Sequence, residues 1–191
     1  MNNQKHFLAA QLGASIYLDD DDLLIETAAQ LREQHSELAL LDGLRLCHLF
    51  CGIPKLIRSL NILAPFKHHA IATQPADGEQ QFKRVYGSDS EIVLEHLRNI
   101  DPTTHRWVVD HAYGDVFAHS SYTLLERELA GVLLLTLSNC HQQALSHVRA
   151  CRRHGAEQEV LIDVAKRFSF LSAAQRTCLV DSINSSYSVD E

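Results

Sequence analysis

Signals that begin and end α-helices recur along almost the whole chain of 191 residues. Two capping boxes, Thr123–Glu126 and Ser172–Gln175, each place a glutamate or glutamine three residues after a helix-starting hydroxyl. Asp101 followed by Pro102 puts a capping carboxylate before the residue that best suits a first helical turn. No stretch alternates apolar and polar residues between turn pairs, as a half-buried strand does. The sequence therefore predicts an all-α fold of about nine or ten helices.

The first third of the chain contains the same kinds of signals that begin and end helices. The acidic run Asp19–Asp22 supplies cap and first-turn residues for an apolar-periodic helix over 23–34. Ser36 opens a leucine-rich helix that Gly52 can end in a left-handed cap. Pro54 suits the first turn of the helix that follows.

The middle of the chain is less regular. Residues 64–79 contain two of the four prolines and are interpreted as a long connection. Short helices are predicted over 79–87 and 90–100, and a longer helix is predicted over 103–119. Three better-marked helices then follow, and the capping boxes separate them from their neighbours.

Composition limits the classes of partner. Hydrophobic residues make up 46% of the chain, so a packed core is expected. The formal net charge is −7, with 24 acidic and 17 basic residues, which argues against binding to nucleic acid. The single basic cluster, Arg152–His154, precedes Gly155 and matches the cations that favour a helix C-terminus.

Neither export nor membrane insertion is expected. The longest apolar run, 129–137, is about half of a membrane span, and the N-terminal residues lack a sustained apolar stretch. The chain has five cysteines, an odd number, and they are dispersed through helical patterns. That usage predicts free thiols in a reducing cytoplasm.

A faint internal repeat appears when the chain is shifted by 89 residues. It aligns Glu37, Leu40, Leu44, Leu46, Cys51 and Leu56 with Glu126, Leu129, Leu133, Leu135, Cys140 and Leu145. The matches favour a duplicated helical hairpin, in which each copy is too small to bury its own apolar face. Arg58 stands at the place of His147, so the first copy keeps the scaffold and loses the polar site.

The repeat divides a single domain of 191 residues into predicted segments. Residues 20–72 form a degenerate first unit, and residues 73–100 form connecting helices. Residues 101–170 form the second unit, which carries the candidate site. Residues 171–191 form a C-terminal helix and tail.

Cys140 is the central candidate residue. If Asn139 caps the next helix, Cys140 occupies the first helical position, where unpaired N–H groups and the helix dipole favour a thiolate. Gln143, His147 and Cys151 follow on the same helix face. Glu128 lies twelve positions before Cys140, and an antiparallel hairpin brings it over that face. His147 is suited to hold or pass a proton.

Two other interpretations stay open for these residues. A cysteine on a helix face is often a small apolar core residue, and Cys47 and Cys51 are interpreted in that way. A zinc site made by Cys140, His147 and Cys151 is less favoured, because the chain lacks a second compact ligand pair. No metal or other cofactor is expected.

The stretch from His111 to Val164 resembles the carboxymuconolactone decarboxylase and alkylhydroperoxidase D superfamily. The resemblance rests on the aromatic–Gly–Asp stretch at Tyr113 and on the helix–turn–helix that carries His147. It covers about residues 25–170 and extends to a first unit at 48–61. It implies an AhpD-like helical bundle of two related hairpin units.

The peroxidase branch of that superfamily has a Glu, a Cys-x-x-Cys pair and a His at fixed spacing. Glu128, Cys140 and His147 match the Glu, the first Cys and the His. Gln143 stands at the place of the second Cys, and His141 lies beside the position of a proton-relay histidine. A disulfide within the pair is therefore impossible, and Cys151 is too far along the same helix to replace it.

The resemblance implies three possible functions. The first is a thiol-dependent peroxidase in which Cys140 attacks a peroxide while Glu128 and His147 manage protons. The second is a cofactor-independent lyase for a small carboxylated lactone, with Glu128 and His147 as the acid–base pair and with Tyr113 or His111 lining the pocket. The third is a non-catalytic protein that keeps the fold.

The expected partners are a small-molecule substrate and further copies of the chain. The family's known members form trimers of two-repeat chains or hexamers of single-repeat chains. The leucine-rich helix over 123–138 also has more apolar surface than one hairpin can cover. A homotrimer is therefore predicted.

Overall fold

The computed structural model describes residues 5–66 and 76–188. Every regular element within these ranges is helical, and no strand occurs in them, so the predicted all-α class is confirmed. The α-helices are α1 (Lys5–Leu18), α2 (Asp21–Gln34), α3 (Glu37–Cys51), α4 (Ile53–Ile62), α5 (Gly78–Tyr86), α6 (Ser90–Ile100), α7 (Pro102–Arg106), α8 (Leu124–Leu137), α9 (His141–Arg153), α10 (Gln158–Arg167) and α11 (Ala173–Tyr187). A π-helix spans Trp107–Phe117, and short 3₁₀ turns span Ala64–Phe66 and Gly87–Asp89.

Most predicted helix starts are confirmed by their hydrogen bonds. The carboxylate of Asp20 accepts from the N–H of Leu23, and both capping boxes are complete. Asp101 caps α7 with Pro102 in its first turn, and Ser36 caps α3. Side-chain oxygens thus satisfy N–H groups that have no partner within the helix.

Two local predictions differ from the structure. Gly52 ends α3 at a positive φ of 85°, but its ψ of 159° lies outside the left-handed helical region. The predicted helix over 103–119 is α-helical only as far as Arg106 and continues as a π-helix. The predicted connection over 64–79 begins with the turn Ala64–Phe66, and residues 67–75 of it lie outside the described residues.

Contacts divide the chain into two compact units, and the smaller one is a continuous segment that interrupts the larger one in sequence. The larger unit comprises Met1–His68 and Tyr122–Glu191, and the smaller unit comprises His69–Ser121. By contact, residues 101–121 group with α5 and α6, whereas the predicted segments place them at the start of the second unit. The two units are defined by contacts between helices, whereas the predicted segments were drawn from the internal repeat in the sequence.

The larger unit is organised around two helices. One is α1, a helix that the sequence analysis did not predict, which packs against α2, α3 and α8 and buries most of its length. The other is α8, which packs against α1, α3, α9, α10 and α11. The chain itself buries Leu129, Leu133, Leu134 and Leu137 of α8 and leaves Leu124, Leu125 and Leu135 half-buried. Only a small part of the apolar surface invoked for a trimer therefore remains on this helix.

The smaller unit has an aromatic core. The ring of Tyr113 lies 4.8 Å from that of Phe82 and 5.0 Å from that of Phe117. The Phe82 and Tyr86 rings stack at 4.2 Å between centroids. This cluster ties α5 to the π-helix.

No helix within the described ranges combines the length and the apolar character that crossing a lipid bilayer requires.

Candidate functional site

The candidate site is built on the hairpin of α8 and α9. A tight turn joins the two helices, with Asn139 at a φ of 60° that asparagine tolerates better than most residues. The N–H of Cys140 donates to the carbonyl of Leu135 at 2.8 Å, which closes the turn. The two helices therefore run antiparallel.

Glu128 and His147 meet across this hairpin. The distance between His147 Nδ1 and Glu128 Oε2 is 2.6 Å. Glu128 is fully buried, and the His147 side chain is 11% exposed. A short contact between a carboxylate and an imidazole fixes the orientation of the ring. The pair is a buried acid–base couple with one edge close to the surface.

Gly131 makes room for the imidazole. A Cβ atom at this position would lie 3.2 Å from His147 Nδ1 and 3.5 Å from the ring tip of Phe50 on α3. That first distance is tighter than ordinary van der Waals contact. Glycine in the middle of a helix costs stability, so its presence here is explained by the close approach of His147.

The second carboxylate oxygen of Glu128 has no partner. Oε1 is buried and accepts no hydrogen bond from any described residue. An unsatisfied buried oxygen costs free energy, and sites with such groups are often functional or hold an additional proton or water. The glutamate is thus bound on one side only.

Cys151 lies one turn beyond His147 on the same helix face. It is completely buried, and desolvation raises its pKa well above the usual value, with a further upward contribution from the charge of Glu128. A thiol held in its protonated form in this way is a poor nucleophile. Cys151 therefore contributes packing to the site.

Cys140 is exposed at the start of α9. It is the N-cap residue of α9, not the first helical residue as predicted, because the helix begins at His141. Its Sγ lies 3.8 Å from the carbonyl oxygen of Ser138, and it makes no hydrogen bond to the first turn of α9. Seven residues separate it from His147, a helical rise of about 10 Å. The thiol and the Glu128–His147 pair therefore share a helix without direct contact.

Cys47 and Cys51 lie between α3 and α1. Cys47 donates to the carbonyl of Ala9, and Cys51 donates to that of Gly13. Burial raises the pKa of Cys47 well above its usual value and that of Cys51 to about 11. Both are packing thiols, as the sequence predicted.

The remaining predicted pocket residues are dispersed. His141 is half-buried and Gln143 is exposed, both in the first turn of α9. Tyr113 belongs to the aromatic core of the smaller unit. His111 lies on the exposed face of the π-helix, with Nδ1 3.4 Å from Asp115 Oδ2. Neither His141 nor Gln143 makes a hydrogen bond to Glu128 or His147 among the described residues.

Two residues that hold the site were not predicted as part of it. Gly131 carried a signal, since a glycine inside a strong helix pattern usually marks a packing constraint. Gln175 was interpreted only as a capping residue. Its Nε2 also donates to the carbonyls of Thr136 and Leu137 and to Asn139 Oδ1, which anchors the turn before Cys140.

Within the described residues, no group of three or more His, Cys, Asp or Glu side chains is arranged to hold a metal ion. Comparisons of the chain with protein-family models, with curated proteins and with solved structures found no match.

Proposed function

We propose that this protein is a thiol-dependent peroxidase of the carboxymuconolactone decarboxylase and alkylhydroperoxidase D type, with Cys140 as its attacking thiol. One observation carries the proposal. Among the described residues, Cys140 is the one exposed cysteine, and it occupies the N-cap of the same helix that holds His147 against Glu128. Accessibility is the first requirement of a thiol that meets a peroxide.

The N-cap position supports the reactive form of the thiol. Side chains at N-caps ordinarily accept hydrogen bonds from the second or third N–H of the helix, and Cys140 leaves these donors available. Once ionised, the sulfur no longer donates to the carbonyl of Ser138 and can turn toward them. The helix dipole adds to this preference for negative charge.

The proposed reaction is balanced with a peroxide and an external thiol. The Cys140 thiolate attacks one peroxide oxygen, the O–O bond breaks, and the departing alkoxide takes up a proton. Cys140 is then a sulfenic acid and the peroxide has become an alcohol. A low-molecular-weight thiol forms a mixed disulfide with Cys140 and releases water, and a second thiol restores Cys140.

Glu128 and His147 handle the protons in this scheme. Glu128 holds Nδ1 of the imidazole, which leaves Nε2 to accept or release a proton. Because about two helical turns separate His147 from Cys140, the proton travels through water or through the bound peroxide. A small organic hydroperoxide is the proposed substrate.

The test is turnover of an alkyl hydroperoxide with a small thiol as reductant. Cys140→Ser should abolish the activity, and Glu128→Gln should lower it by about a hundredfold. Cys178→Ser is the matched control, since Cys178 is half-buried and lies on α11, outside the α8–α9 hairpin. Activity that survives in Cys140→Ser would reject the proposal.

A second candidate is a cofactor-independent lyase that acts on a small carboxylated lactone. It is supported by the Glu128–His147 hydrogen bond itself, which forms a complete acid–base couple without Cys140. In that case Cys140→Ser retains full turnover and Glu128→Gln abolishes it. Wild-type protein inactive on both substrate classes would favour a non-catalytic role.

A further inference from the structure

A groove runs between α9 and α11 on the side of α9 that faces away from α8. It encloses about 430 Å³ and is lined by Leu145, Arg149, Arg152, Arg153, Ser185 and Ser186. The Glu128–His147 pair lies on the other face of α9, which packs against α8. The groove is therefore separate from the site described above.

One end of the groove is cationic, and two of its arginines differ in how they are held. Arg152 donates to the carbonyl of Ser186 and lies over the ring of Tyr187 at 5.5 Å, which fixes its guanidinium. Arg149 is exposed and makes no hydrogen bond or ion pair to any described residue. A fixed guanidinium beside an unpaired one favours a bound oxyanion.

The other end of the groove is acidic. An adjoining hollow of about 610 Å³ shares Leu145 and Ser185 with the groove and is lined further along α11 by Cys178, Asp181 and Ser182. Asp181 would repel an anion at this end. Leu145 and the aliphatic stems of the arginines offer apolar surface in between.

We propose that this groove binds the carboxylate of a small organic acid, with the carboxylate at Arg149 and Arg152 and the apolar body along Leu145. The volume is in the range of small-ligand sites. One unpaired guanidinium suits the single charge of a carboxylate better than the double charge of a phosphate. The net charge of −7 argues against a polyanionic partner.

The test is an NMR titration with hexanoate, and with hexanol as the uncharged analogue. Hexanoate should give saturable shifts at residues 145–153 and 182–186, and hexanol should bind at least about tenfold more weakly. Arg149→Ala should weaken hexanoate binding by about tenfold, whereas Arg106→Ala, an exposed arginine on the smaller unit, should leave it unchanged.

Absence of saturable shifts up to about 10 mM hexanoate would overturn the proposal. So would equal binding of hexanol, or an Arg149→Ala variant that binds like Arg106→Ala. Arg149 is exposed, so its replacement leaves the core intact. The outcome does not depend on Cys140 or on the proposed peroxidase activity.

Discussion

Glu128 is held by a single hydrogen bond in a fully buried position, so the geometry of its partner decides how the pair behaves. The imidazole of His147 lies close against Gly131 and makes its one hydrogen bond to Glu128. Such a pair is sensitive to small changes in packing, since interiors are close-packed and relax only in part. The geometry of the pair therefore depends on the packing around the imidazole as much as on the charge of the carboxylate.

Gly131→Ala should destabilise the protein by about 1–2 kcal/mol, although the same change in an open helix stabilises it by about 1 kcal/mol. The new methyl group would press on the His147 ring. In a Glu128→Ala, His147→Ala background the same substitution should be neutral or stabilising, because the ring is absent. Urea unfolding of the four proteins measures this, and an equal loss in both backgrounds would contradict the assigned contact.

The buried thiols predict a dependence of stability on alkaline pH. Burial raises the pKa of Cys51 from 9.0 to about 11, so the folded protein retains a proton that the unfolded chain loses first. Stability from this group is therefore complete below pH 9 and is lost as the pH rises toward about 11. Urea unfolding across that range should show a steeper decline in wild type than in Cys51→Ser, and parallel declines would contradict the assignment.

Among the elements, α11 supports the site from outside the hairpin. The Gln175 side chain closes its own capping box and also binds the last carbonyls of α8. It thereby satisfies acceptors that have no partner within α8. The turn that presents Cys140 depends on a residue that is distant in sequence.

Gln175→Ala should cost about 1–2 kcal/mol and should speed amide hydrogen exchange in the turn over 138–141. Gln158→Ala is the matched control, since Gln158 makes one exposed hydrogen bond, to Asn184. It should cost less than about 0.5 kcal/mol and leave exchange in the turn unchanged. Equal effects of the two variants would show that α11 does not anchor the turn.

The elements also show what local patterns can and cannot predict. Caps such as Asp101 and Thr123 were predictable because they depend on residues within one turn. The first helix was missed because nearly all of its faces are buried, so its sequence lacks the amphipathic pattern that marks a surface helix. The π-helix was missed because its widened hydrogen bonding has no periodic signature in the sequence.

The site, like the helices, was predictable only where it depends on residues that are close in sequence. The spacing of Glu128 and His147 was sufficient to place them together once a hairpin was assumed. The start of α9 was predicted one residue too early, which moved Cys140 from the first helical position to the N-cap. The role of Gln175 follows from contacts between segments that are distant in sequence, which no local pattern encodes.

At the scale of the whole molecule, self-association stays a prediction, and exposed apolar side chains outside α8 now support it. The chain buries most of α8, and the exposed large apolar side chains lie elsewhere, among them Ile53 at 57% and Ile57 at 54% on α4. Exposed apolar groups of this size often lie in interfaces. We expect a homotrimer, and light scattering at micromolar concentration should return three times the 21.5 kDa chain mass. A mass near that of a single chain would reject the trimer.

The central claim is that Cys140 is the thiol that meets a peroxide. Mass spectrometry of folded protein after graded peroxide treatment, followed by iodoacetamide, measures it directly for all five cysteines. Cys140 should be oxidised at the lowest peroxide dose and should be the thiol that alkylates fastest in untreated protein. Cys47, Cys51 and Cys151 should react only after unfolding, because burial holds them as protonated thiols. An unmodified Cys140 in folded protein, while other thiols react, would contradict the account.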